Sequence, residues 1–289
     1  MTAPNLGRYD QSDLLELAQE VAEAAGKLLR TGLESVAGGL LLATGASSKS
    51  SPTDLVTDVD RASEALIVSS LLRARPDDGI LGEEGSSRKG STGVTWVIDP
   101  LDGTINYLYG IEEFAVSIGA SVDGRNIVGA VHNPVNGEMF AACEGQGATL
   151  NGRELRLKPS GRPLAEALVG TGFTYKAKDR ADQARIVAMV LPQVRDIRRR
   201  GSASIDICGV ACGRFDAFYE AWLKPWDLAA GDVIVREAGA TLTEIEGLAD
   251  GSSTVVVAAP GLEGPLVALL ESTASNRGAP LGGRGMLAG

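Results

Sequence analysis

The chain reads as an α+β half followed by an α/β half. Three observations predict this. A long helical pattern opens the chain and a second follows it, ahead of strand patterns between residues 94 and 150 that are spaced for antiparallel pairing. After a Lys-, Gly- and Pro-containing stretch at 158–163, strand and helix patterns alternate. With 289 residues and 44% hydrophobic content there is ample material for one large core or two fused halves.

The elements follow in order. Leu14, Leu15, Leu17, Ala18, Val21, Ala22, Ala25, Leu28 and Leu29 recur at helical spacing, so the pattern predicts a helix over 11–32 with Ser12 as its cap. A Gly- and Ser-rich stretch, Gly38 to Pro52, leads to a second helix over 58–75. Strands follow near 94–99, 114–122 and 127–132, the last two joined through Asp123-Gly124. Segments 138–143 and 149–150 extend the same antiparallel sheet. The boundary at 158–163 divides an N-terminal half, 1–160, from a C-terminal half, 161–273. The second half reads strand (167–171), helix (179–195), a basic segment, helix (202–213), strand (214–220), helix (227–239), strands near 241–245 and 254–259, and a final helix (262–273). Residues 274–289 are glycine-rich and read as a disordered tail. There is no internal repeat.

Composition narrows the function. A net charge of −10 disfavours general binding to nucleic acid or anionic membrane. No apolar run is long enough to span a bilayer, and Met1 to Asp10 lacks the basic-then-apolar pattern of a secretory signal. Cys143, Cys208 and Cys212 are too few for a disulfide framework, which together with the absence of a signal pattern predicts a cytoplasmic protein. Cys208 and Cys212 share a helical face among apolar neighbours and read as small core residues. His132, the only histidine, ends a strand beside Asn133-Pro134 and takes no catalytic role. Zinc chemistry is thereby disfavoured.

The densest chemistry lies in Trp96-Val97-Ile98-Asp99-Pro100-Leu101-Asp102-Gly103-Thr104-Ile105-Asn106. Val94, Trp96, Val97 and Ile98 suit a buried strand, and Pro100 and Gly103 read as its stop. Asp99 and Asp102 then project from one turn, where a hard cation could bind them. The N–H groups of Gly103 and Thr104 are free to hold an anion if a helix begins there. Asp-Pro and Asp-Gly alone are ordinary turn chemistry. Two further acidic segments weigh against that reading. Gly82-Glu83-Glu84-Gly85 offers carboxylates at a glycine-flanked turn, either as ligands or as a solvated pair. Asp227 in Pro225-Trp226-Asp227-Leu228 sits where a helix N-cap belongs, with Gly239 as the stop.

Together with Lys49-Ser50-Ser51-Pro52-Thr53-Asp54-Leu55-Val56-Thr57-Asp58-Val59-Asp60, these segments resemble the inositol monophosphatases, metal-dependent and lithium-sensitive phosphatases. They occur in that family's order and approximate spacing, from about Leu14 to Leu270. The resemblance implies a five-layer αβαβα fold with the active site between the halves, and a homodimer. It implies two to three Mg²⁺ ions, with Mn²⁺ able to substitute. Glu83, Asp99 and the Leu101 carbonyl would hold the first ion, and Asp99, Asp102 and Asp227 the second. Thr104, paired with Asp60, would orient the attacking water, with Glu83 also in the catalytic set and Lys49 nearby as a positive charge. Gly103, Thr104 and Asp102 would face the substrate, with Glu220 and the Ala203 N–H reading its hydroxyls.

The activity implied is hydrolysis of myo-inositol monophosphate by metal-activated water. Chemistry of the same kind on histidinol phosphate, fructose 1,6-bisphosphate or a nucleotide 3′-phosphate is the alternative. Ala221-Trp222-Leu223-Lys224 departs from the family pattern, with bulky Trp222 and charged Lys224 placed near the pocket rim, so the alcohol is less fixed than the reaction. The cluster Arg195, Arg198, Arg199 and Arg200 is either an RNA- or transcription-partner surface or, as the acidic balance favours, a solvated or interface segment.

Overall fold

The computed structural model describes residues 10–35, 47–48, 55–159, 161–249 and 252–275. Helix α1 (Gln11–Ser35) is followed by a small antiparallel pair, β1 (Ser47–Ser48) and β2 (Leu55–Val56), and by α2 (Asp58–Ala74). Thr57 caps α2: its hydroxyl accepts from the Asp60 N–H, while Asp60 Oδ2 accepts from the Thr57 N–H at 2.9 Å. The chain then lays down β3 (Gly79–Gly82), β4 (Ser87–Arg88), β5 (Val94–Asp102), the short α3 (Thr104–Tyr109), β6 (Ala115–Val122), β7 (Arg125–Asn133), β8 (Glu138–Cys143), β9 (Gly147–Leu150) and β10 (Arg153–Leu155). These strands form one eight-stranded sheet in the order β10-β9-β8-β7-β6-β5-β3-β4.

The second half supplies β11 (Leu168–Thr171), α4 (Ala177–Val190), β12 (Asp196–Arg198), α5 (Ala203–Ala211), β13 (Ala217–Ala221), α6 (Pro225–Ala238), β14 (Thr241–Ala249), β15 (Ser252–Ala258) and α7 (Glu263–Ser275). Its five strands run β12-β11-β13-β15-β14, parallel across β12, β11 and β13 and antiparallel from β13 onward.

Five layers result. Helices α1 and α2 cover one face of the large sheet, α5 and α6 fill the space between the sheets, and α4 and α7 cover the far face of the small sheet. Three buried clusters fill the four interfaces, the central one spanning both sides of α5 and α6. The outer one joins Leu14, Ala18, Ala25 and Leu29 of α1 to Val116, Ile118 and Ala120 of β6. The central one joins Ile207 and Val210 of α5 to Val233 and Ile234 of α6 and Phe218 of β13. The third joins Val169, Tyr219 and Val256 to Leu266 and Leu270 of α7. Alternation along β6 is thus the usual consequence of a sheet buried on both faces. Among the described residues no helix is long and apolar enough to cross a membrane.

The sequence pattern and the structure part at several points. Helix α4 ends at Val190, not near 195, because Leu191–Gln193 tightens into a 3₁₀ turn around Pro192. The basic segment beyond it contains the edge strand β12. Gly79–Gly82, which the sequence pattern does not mark as a strand, pairs parallel with β5. The proposed tail falls almost wholly on 276–289, outside the described residues, and Ser160 at the half boundary is likewise outside them.

Helix α6 lies unusually close to the large sheet. Gly119 and Gly129 are paired across β6 and β7 beneath it. A Cβ on Gly129 would stand 2.3 Å from the Ala230 carbonyl oxygen, and one on Gly119 would stand 2.8 Å from Ala229 Cβ. Both contacts are rigid, so a side chain there must push α6 away from the sheet. Gly129→Ala is expected to cost about 1–3 kcal/mol, the usual range for overpacking. It should lower the melting temperature by several degrees. Activity should fall with it, because α6 carries Asp227. A thermal melt and a rate measurement on the same preparation check this; an unchanged melting temperature would show that α6 does not rest on the glycine pair.

Candidate active site

Five of the acidic residues singled out in the sequence, Glu83, Asp99, Asp102, Glu220 and Asp227, meet beside the N-terminal ends of α5 and α6. Glu83, Asp99, Leu101, Asp102, Gly103, Thr104, Ala203, Glu220 and Asp227 all line one cavity of about 420 Å³. Lys49 lies outside the described residues.

Strand β5 explains how Asp99 and Asp102 come together. In a regular strand residues three apart point to opposite faces. Here Asp99 pairs with Ser117 and Asp102 with Ala115, so three steps on β5 match two on β6. The extra residue is a bulge, and it restores the two carboxylates to one side. Pro100 therefore does not stop the strand as its type suggested. It sits in the bulge, where its missing N–H costs no ladder bond. The Leu101 N–H donates to Asp99 Oδ1 at 3.0 Å and fixes that side chain. Helix α3 begins directly after Gly103, whose φ is 99°.

Glu83 follows β3 and is anchored by its own N–H to the Ile98 carbonyl at 3.1 Å. The turn that presents it is held by Glu64, a buried carboxylate of α2 that accepts from the Glu84 N–H at 2.8 Å and the Ser86 N–H at 2.9 Å. Thr104 Oγ1 lies 2.9 Å from Asp60 Oδ1 and 3.1 Å from the Leu101 carbonyl, so its one proton has two acceptors. Asp60 does not line the cavity. One of its oxygens accepts from Thr104 while the other completes the α2 cap.

Asp102 is the most heavily bonded member. Its Oδ2 accepts from Ser202 Oγ at 2.7 Å, the Ser204 N–H at 2.7 Å and Ser204 Oγ at 2.5 Å. Its Oδ1 accepts from the Ala203 N–H at 3.3 Å. A carboxylate of the first half thus sits at the N-terminus of α5 in the second, where the helix dipole favours negative charge. The Ala203 N–H, expected to face a substrate hydroxyl, is directed at Asp102. Asp227 also departs from its expected place: it is the third residue of α6, not the cap. Pro225 takes the first helical position, and Asp227 Oδ2 reaches back to the Lys224 N–H at 2.6 Å.

The electrostatics are severe. Burial, then repulsion from Glu83, Asp102 and Asp227, pushes the Asp99 carboxyl well above the usual carboxylate range. Burial and Asp102 do the same to Asp227. Glu220 is raised by burial and by Asp227, Asp206 and Asp102, with Arg199 as the opposing charge. Asp206 on α5, pushed up to about 8 chiefly by burial, is a cavity residue that sequence reasoning missed. Sequence reasoning also missed Glu64, Ser202 and Ser204, of which Ser202 lines the cavity; their contacts span 20 to 102 positions and leave no local signal beyond a Ser cap before α5.

The donor set suits a hard cation in its chemistry. All the acidic ligands named from the sequence offer oxygen, and no His or Cys lines the cavity. Among the described residues no three acidic, His or Cys side chains are gathered tightly enough to cage an ion as they stand. The fit is therefore one of chemistry and charge: repelling carboxylates are what a divalent cation stabilises.

His132 and the cysteines are structural. His132 Nδ1 lies 3.2 Å from the Glu138 carbonyl, with its ring packed on Gly26. Cys208 is buried in the central cluster and Cys212 ends α5. The arginine cluster is divided among neighbours: Arg195 donates to the Glu166 carbonyl, Arg198 to Asp196 and Arg200 to Glu113, while Arg199 lines the cavity.

A model of the Inositol monophosphatase family matches residues 10–275. An inositol-1-monophosphatase of Mycobacterium leprae (strain TN) is 42% identical, covering 94% of this chain and 97% of the relative. Nus factor SuhB of Escherichia coli (strain K12) is 41% identical, covering 81% and 86%. Among solved structures, Mycobacterium tuberculosis SuhB superposes with a TM-score of 0.77 at 38% identity, covering 92% of this chain and 98% of that one.

Proposed function

The chain belongs to the inositol monophosphatase family, and from that premise we propose that it hydrolyses a myo-inositol monophosphate to inositol and phosphate with Mg²⁺. The observation that carries the reading is the bulge in β5, which sets Asp99 and Asp102 on one cavity wall with Glu83 and Asp227. Glu83, Asp99 and the Leu101 carbonyl would hold one ion, and Asp99, Asp102 and Asp227 another. Bound there, Mg²⁺ supplies an activated water near neutral pH and positive charge for the phosphate and leaving oxygens.

The chain's own residues do the rest. Asp60 holds Thr104 so that its hydroxyl oxygen is presented as an acceptor for the attacking water. The N–H groups of Gly103 and Thr104, at the start of α3, meet the phosphate oxygens. Glu220 accepts from the alcohol's hydroxyls across the cavity. Ser202, Ser204 and the Ala203 N–H keep Asp102 oriented. We further propose a cytoplasmic homodimer, which size-exclusion chromatography with light scattering would test.

Initial rates on a panel of phosphate esters with Mg²⁺ test the substrate. Inositol 1-phosphate should exceed histidinol phosphate, fructose 1,6-bisphosphate and a nucleotide 3′-phosphate. Faster turnover of one of those would keep the chemistry and replace the alcohol. Li⁺ offers a second check. A monovalent ion beside Asp102 and Asp227 cannot match the charge that the leaving oxygen requires, so tens of millimolar Li⁺, roughly the dose that weak monovalent binding to oxygen ligands demands, should inhibit. Undiminished turnover at that dose would count against the second ion position.

A further inference from the structure

We propose that Trp222 determines which alcohol this enzyme accepts, by presenting a flat apolar wall to the face of a saturated ring, and this rests on the phosphatase reading above. The backbone gives the first observation. Trp222 has φ +67°, in the left-handed region. The other non-glycine residues there among the described residues are Asp123 and Asn151, types that tolerate it, each in a hairpin turn. Trp222 is the bulky exception.

Its surroundings hold it there. Ala221 pairs with Thr254, and the Trp222 N–H donates to the Ser253 carbonyl at 3.3 Å. Leu223 packs into the central core, and Pro225 begins α6. The path from β13 to α6 is therefore fixed on both sides of a conformation that disfavours any Cβ. Packing does not account for the choice of residue, since Trp222 belongs to none of the three core clusters.

The cavity does account for it. Trp222 lines it two positions beyond Glu220, with Phe173 and Trp226 also on the wall. A cyclic polyol phosphate has a rim of hydroxyls and faces of C–H groups. Glu220 suits the rim, and an indole suits a face. An acyclic ester has no such face to offer. Strain retained at a binding wall is the pattern expected where a side chain is kept for recognition.

The test uses Trp222→Gly, Trp222→Ala and Trp222→Phe in the full chain with Mg²⁺, on inositol 1-phosphate and glycerol 2-phosphate, with melting temperatures alongside. Gly and Ala should each lower kcat/KM for the ring substrate by about 2–12-fold, the scale of one lost aromatic contact. They should change the acyclic substrate less than about twofold, because the phosphate machinery is untouched. Phe should retain most of the ring preference. Gly should melt above Ala, the reverse of their usual order, because only Gly relieves the left-handed backbone. Equal losses on both esters, an unchanged ring preference, or Ala melting above Gly would each overturn the inference while leaving the phosphatase reading intact. A parent chain inactive on both esters would overturn both.

Discussion

Asp99→Asn is expected to lower kcat/KM for every phosphate ester by about a thousandfold or more while the fold persists. Asp99 is the one side chain proposed to touch both ions, and several kcal/mol of charge stabilisation depend on them. The structure makes the direction of the stability effect clear as well. Burial and the neighbouring Glu83, Asp102 and Asp227 all oppose a charge on Asp99. Removing that charge relieves the cluster, so the Mg²⁺-free variant should melt no lower than the parent. Mg²⁺ should raise the melting temperature of the parent by binding only the folded chain, and this shift should shrink or vanish in the variant. Lost activity with a retained Mg²⁺ shift would move the bridging role to another carboxylate. Activity within a few fold of the parent would end the two-ion reading.

The fold and the site were legible to different degrees. Helix α1 announces itself because a long one-sided apolar stripe has no other stable use. Hairpin β6–β7 is marked by Asp123-Gly124 at its turn. Strand β3 was hidden, because four residues carry little periodicity and its parallel pairing with β5 is non-local. The carboxylates of the cavity could be named from motifs, but not how they meet: a bulge is invisible in sequence, and Pro100 suggests a stop. Asp227 was placed three residues off as a cap because Asp is a good cap and Lys224 is not, whereas Pro225 at the first helical position was the better guide. Glu64 and Asp206 could not be found at all. Their roles come from Glu84, Ser86 and the cavity, which the chain folding alone brings near them.

Glu220→Gln is expected to reduce kcat/KM for inositol 1-phosphate by roughly 10–100-fold, the value of a buried hydrogen bond to a charged acceptor at about 1.5–3 kcal/mol. It should barely change a small ester without ring hydroxyls. Arg199, on the same cavity, is the group that favours the ionised form of Glu220 against the pull of burial and the surrounding aspartates. Gly172 provides an independent route to the same result. A Cβ there would fall 1.9 Å from Glu220 Oε2, at the free end of a flexible side chain. Gly172→Ala should therefore displace the carboxylate without the packing cost expected at Gly129, where the clash is with backbone. Both variants should lose the ring substrate and keep the small ester, and Gly172→Ala should melt close to the parent. This separates recognition from catalysis, since the Asp99 variant loses both esters alike. Equal losses on both esters in Glu220→Gln would place Glu220 in the catalytic machinery or the fold. No loss on either would mean that the cavity reads its alcohol elsewhere, and the inositol assignment would give way to the wider phosphate-ester reading.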